Sequence, residues 1–78
     1  MKFKEKRGNV FVFDGGHAGG ELELVQDSYG FFNFNDVTIT EKQGKFCIAR
    51  NGVYGFMSYQ DIQTAVNLMQ ILINEGLV

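Results

Sequence analysis

The sequence predicts an α+β domain: a five- or six-stranded antiparallel β-meander followed by one C-terminal α-helix packed on one face of the sheet. Three observations carry this. Short apolar or alternating runs recur between residues 10 and 57, separated by turn signals rich in Gly, Asn and Asp. Asn51-Gly52 sits between two such runs, the strongest short-range signal for a hairpin. The last twenty residues then change period from two to about 3.6 and carry helix start and stop signals at both ends. There is no proline, no low-complexity tract and no internal repeat, so residues 1–78 read as a single domain.

Taken in order, Val10 to Phe13 is a continuous apolar run of the kind buried on both faces. Gly15, Gly16, Gly19 and Gly20 bracket His17-Ala18 in a loop. Glu21 to Val25 alternates in part, as a half-buried strand does. Asp27-Ser28-Tyr29-Gly30 is a turn signal before a strand from Phe31 to Phe34. Phe32 and Phe34 share one parity and Val37 and Ile39 the other, so the register slips at Asn35-Asp36, where a tight turn or a bulge repairs it. Val37 to Thr40 pairs with Phe46 to Arg50 across Glu41–Gly44, and Val53 to Met57 follows.

A two-residue turn at Asn51-Gly52 sets Arg50 opposite Val53, Ile48 opposite Gly55 and Phe46 opposite Met57. Those residues form the expected helix-packed side, with Gly55 leaving room for the helix. Cys47, Ala49, Tyr54 and Phe56 face the other way. Because one helix cannot cover two sheet faces, this second face calls for either the N-terminal strands folded over it or another chain, and the first is the expectation.

The helix is expected from about Tyr59 to Glu75. Ser58 is its N-cap and Asp61, three residues on, completes a capping box. Gly76 suits the left-handed position that ends it, with Leu77 folding back onto the last turn. Ile62, Ala65, Val66, Met69, Leu72 and Ile73 make one apolar stripe. Leu68 and Ile71 fall off it, Ile71 nearly opposite its centre. The polar side, including Asn67 and Gln70, lacks Lys and Arg altogether. Interface cores are depleted in charge, so Leu68, Ile71, Asn67 and Gln70 are candidates for a protein contact, self-association included.

Composition narrows the function. A 78-residue chain buries only about 60% of the surface its unfolded form exposes, so its eleven aromatics are needed mainly inside. A net charge of −2 argues against a protein held to nucleic acid by bulk electrostatics. One cysteine excludes an internal disulfide and a cysteine-based zinc cage. The basic start, Met1 to Arg7, is followed by no apolar core of a signal peptide, and no run approaches the roughly 20 apolar residues that span a bilayer. A reducing, cytoplasmic setting is expected.

No constellation for catalysis appears, so no enzyme, cofactor or metal is expected. His17 has only Asp14 and Glu21 nearby and reads as a solvent-exposed loop histidine. The glycine-rich loop matches neither phosphate-binding pattern and is flanked by carboxylates. Cys47, between Phe46 and Ile48 in a strand, reads as a core cysteine.

Charge is segregated along the chain. Residues 1–7, with Lys2, Lys4, Lys6 and Arg7 against Glu5, carry a net +3; residues 8–41 hold six carboxylates and no Lys or Arg; Lys42, Lys45 and Arg50 follow. Asp14, Glu21, Glu23, Asp27 and Asp36 therefore stand as candidates for an acidic docking surface facing a basic partner. The leading expectation is a non-enzymatic protein-binding module that self-associates as a dimer, masks a partner protein's surface, or does both. A small phage- or mobile-element-type inhibitor or regulator of a nucleic-acid-handling complex fits that size and charge. The alternative is single-stranded nucleic-acid binding, in which Lys2, Lys4, Lys6, Arg7, Lys42, Lys45 and Arg50 meet in a basic patch beside stacking aromatics at Tyr29, Phe31, Phe32 and Phe34.

Overall fold

A computed structural model describes residues 1–15, 20–50 and 59–78 of the chain. His17, the Asn51-Gly52 turn, the expected strand Val53 to Met57 and the Ser58 cap lie outside the described residues. Six strands, β1 (Lys2–Arg7), β2 (Val10–Asp14), β3 (Glu21–Gln26), β4 (Phe32–Phe34), β5 (Val37–Lys42) and β6 (Lys45–Arg50), precede one helix, α1 (Tyr59–Asn74). The strands form one antiparallel sheet in the order β1-β2-β3-β4-β5-β6. This is the expected α+β meander with its helix. Its first strand is one that apolar patterning misses, because Lys2–Arg7 contains a single apolar residue, Phe3, on its inward side.

The turns explain how the register is held. Phe34 pairs with Val37, so Asn35-Asp36 is a two-residue turn, with Asn35 in the left-handed region at φ 51°. This is the tight turn that the parity slip required. Lys42 pairs with Lys45 around Gln43-Gly44, and both turn residues have positive φ, 53° and 80°. That geometry matches the twist of the flanking strands.

One sheet face packs on the helix. Phe11, Phe13, Leu24, Phe32, Phe34, Val37 and Ile39 meet Ala65, Leu68, Met69 and Leu72 there, with Phe46 packed at the edge. Phe46 thus lies on the side that hairpin register predicted. The helix ends as its sequence indicates: Gly76 has φ 74° and donates to the Ile73 carbonyl at 3.0 Å, while Leu77 donates to the Leu72 carbonyl at 2.9 Å. These two bonds form a Schellman motif.

Two expectations fail. Leu68 does not lie off the buried stripe; it is 0% exposed and central to the core, and Ile71 packs against the same cluster. At 100° per residue, the fully buried set Ala65, Leu68, Met69 and Leu72 is centred about 50° from the stripe read in the sequence. The packed arc, Val66 round to Ile71, spans about 220°. The helix touches β1, β4 and β5, so the twisted sheet flanks it on both sides. A flat surface would have left Ile71 in water.

The N-terminal strands also do not fold over as a second layer. They continue the same sheet, and Cys47 and Ala49 are exposed rather than core. A second layer is not required, because the outer face is largely polar: Lys4, Glu5, Arg7, Glu21, Glu23, Asn33, Thr38 and Thr40 share it by strand alternation. Val12, also on that face, is fully buried between its cross-strand neighbours Glu5 and Glu23.

Candidate functional site

The strand order undoes the charge segregation of the chain. β1 lies two strands from β3, so the basic N-terminus meets the acidic segment on the outer face. Lys4 Nζ donates to Glu21 Oε2 at 2.7 Å, Arg7 donates to Glu5, and Lys2 stands opposite Asp14. The hydrogen bond to Glu21 raises the Lys4 pKa above the ordinary lysine value. The bond from Arg7 lowers that of Glu5 and in turn raises that of Arg7. Lys6 points to the other side, with its ammonium 5.4 Å from the centre of the Phe11 ring.

Of the acidic candidates, Glu21 is therefore neutralised by Lys4. Asp27 is taken up locally: its carboxylate accepts the backbone N–H groups of Tyr29 at 2.9 Å and Phe31 at 3.0 Å. Glu23 and Asp14 stay exposed on the outer face, and Asp36 is exposed at the turn between β4 and β5. The five do not form one negative surface. The basic candidates do not form one patch either, because β2 to β4 stand between β1 and the strands of Lys42, Lys45 and Arg50. Phe32 and Phe34 belong to the core, which leaves only Tyr29, 85% exposed, and Phe31, 37% exposed, of the expected stacking group.

On the helix, Gln60, Gln63, Asn67, Gln70 and Asn74 make the solvent side, an unbroken row of amides. Within it Gln63 bonds Asn67 and Gln70 bonds Asn74, each at 3.1 Å. Asn67 and Gln70 are exposed as expected, without the apolar neighbours that made them candidates.

The site that emerges lies on the outer face of β4 to β6. A hollow of about 270 Å³ is lined by Phe31, Thr38, Thr40, Cys47, Ile48 and Ala49. Alternation builds it, because Thr38 pairs with Ala49 and Thr40 with Cys47, which puts four small side chains side by side. The β3–β4 turn supplies its aromatic wall. Asp27 fixes that turn through the two N–H bonds above, Gly30 has φ 88°, and the Asn33 amide donates to the Val25 carbonyl at 3.3 Å. Thr38 Oγ1 then donates to Asn33 Oδ1 at 2.8 Å, linking turn to floor. Ile48 borders the hollow along β6 between Cys47 and Ala49, but its side chain has the parity of its partner Ile39 and belongs to the helix side of the sheet. A second hollow of about 510 Å³ opens between β3 and β4, whose pairing is confined to Val25 with Asn33 and Gln26 with Phe32. The first could not be read from sequence as a site, since none of its residues except Cys47 and Phe31 carries a functional signal alone.

The arrangement offers a preformed apolar depression rather than reacting groups. Cys47 is a free, exposed thiol. Among the described residues, no three His, Cys, Asp or Glu side chains are placed to hold a metal ion. No described helix is long and apolar enough to cross a membrane. The fold and site define a small α+β domain with a shallow apolar hollow on its solvent-facing sheet surface. No family model, curated protein or solved structure matches the chain.

Proposed function

We propose that this protein is a non-enzymatic binding module that docks another protein on the outer face of β4 to β6, in the manner of a small inhibitor or regulator that masks a partner's surface. The observation that carries this reading is the hollow lined by Phe31, Thr38, Thr40, Cys47, Ile48 and Ala49. It opens the Phe31, Cys47 and Ala49 side chains to solvent on the face opposite the helix, a preformed concave seat for an apolar side chain of a partner. An exposed, unpaired thiol at its centre suits a reducing compartment such as the cytoplasm. The helix back no longer motivates self-association, because Leu68 and Ile71 are in the packed arc.

The test is selection from a random peptide display library on the wild type, with counter-selection on a Cys47→Gln, Ala49→Gln double variant. Both positions are exposed, so the variant is expected to fold like the wild type, and both changes leave charge unaltered. Peptides that bind the wild type and not the variant are the expected result. A library that yields no such peptides overturns the reading.

A further inference from the structure

Resting on that docking reading, we infer that the partner segment is acidic: an apolar side chain enters the hollow while carboxylates beside it meet Lys42 and Lys45. Two observations support this. Thr38, Thr40 and Lys42 alternate on β5, and their cross-strand partners Ala49, Cys47 and Lys45 occupy the same face. The two lysines therefore share the face of the hollow and follow its Thr40–Cys47 pair toward the β5–β6 turn.

Lys42 and Lys45 are also directly opposite one another, an arrangement that is destabilising in a sheet because like charges repel across the pair. Among the described residues, β4 to β6 contribute Asn33, Thr38, Thr40, Lys42, Lys45, Cys47 and Ala49 to this part of the outer face, and its bordering carboxylate, Asp27, is held at the β3–β4 turn by the Asn33 amide at 3.4 Å and the Phe31 N–H rather than beside the lysines. Glu41, the nearest acid in sequence, has the opposite parity, pairs with Phe46, and accepts the Gly44 N–H at 2.7 Å within the turn. The other half of the face behaves differently, with Lys4 and Arg7 each engaged by a glutamate. An anionic partner relieves the Lys42–Lys45 repulsion and gains from it.

Carboxylates fit better than phosphates. A nucleic acid strand needs cations along its path and successive stacking surfaces, whereas here the two lysines are together at the β5–β6 turn and the exposed rings, Tyr29 and Phe31, both belong to the β3–β4 turn, with small neutral side chains between them. A second copy fits poorly, since a two-fold interface brings the same patch, with its own Lys42 and Lys45, onto itself.

The experiment reads the composition of the selected peptides. Those dependent on the Cys47–Ala49 hollow are expected to carry a net negative charge beside an apolar residue. Their affinity is expected to fall at least about fivefold in Lys42→Glu and in Lys45→Glu, and to weaken with added salt. The Lys42→Glu, Lys45→Glu double variant is expected to select basic peptides instead. Hollow-dependent peptides that are neutral or basic, or that bind the charge-reversed variants equally well, overturn the inference while leaving the docking reading standing. Absence of hollow-dependent peptides defeats the docking reading itself. Binding of oligothymidine that is lost in both lysine variants, without acidic peptides, replaces the protein partner by single-stranded nucleic acid.

Discussion

Leu68→Ala is the substitution that separates the packed helix from the one read in the sequence. Leu68 is 0% exposed and surrounded by the helix-facing side of the sheet, so truncation removes a buried side chain and leaves a cavity. Such changes cost about 2–5 kcal/mol. The better helix propensity of alanine returns only about 0.2 kcal/mol. A domain of this size has a total stability on the order of 4–12 kcal/mol, so the loss is a large fraction of it. Urea unfolding followed by circular dichroism gives the number directly. With a slope of about 1 kcal/mol/M, the midpoint is expected to fall by about 2 M or more. Gln70→Ala, two residues away on the amide row, serves as the control and is expected within about 0.5 kcal/mol of the wild type. A similarly small change for Leu68→Ala would put that side chain in solvent and refute the packing described above.

Gln43→Asn is expected to stabilise the protein by about 0.5–1 kcal/mol, because Gln43 has φ 53° and asparagine tolerates the left-handed region better; the urea midpoint reads it. Asp27→Ala is expected to cost about 1–2 kcal/mol by removing the acceptor for the Tyr29 and Phe31 N–H groups. Faster amide exchange confined to residues 27–31 would accompany that loss. The pH dependence follows from Glu5, whose folded pKa is lowered by the hydrogen bond from Arg7. Its contribution is present above the unfolded glutamate value of about 4.3 and is lost as pH falls through the lower folded value. Glu5→Gln is therefore expected to flatten the acid limb of the stability profile slightly, an effect that shrinks with salt because the pair is exposed. An unchanged acid limb would deny the pair any role.

The meander was legible because each of its devices is local. The parity slip at Asn35-Asp36 demanded a tight turn, and Gly76 with Leu77 announced a Schellman end; both depend on neighbours a few residues away. β1 was illegible for the complementary reason. An edge strand with one inward residue, Phe3, has almost no apolar pattern, and its lysines are what keep such an edge from pairing further. Charge behaved likewise. Six carboxylates without a base looked like a negative surface along the chain, yet Lys4 and Glu21, seventeen residues apart, are bonded across the sheet.

By itself the sequence determined the class of fold, most of the strands, the turn at Asn35-Asp36 and the helix with its C-terminal stop, because backbone geometry and hydrophobic period are short-range properties. Tertiary structure alone decided which way the helix is turned, where the charges cancel, and that Cys47 and Ala49 face solvent beside Phe31. Each of these depends on what lies across the sheet, and a six-stranded twisted sheet buries about 220° of a helix where pattern counting assumes one stripe. The candidate contact surface consequently moves from the back of the helix to the hollow on the opposite side of the sheet, with Lys42 and Lys45 on the same face.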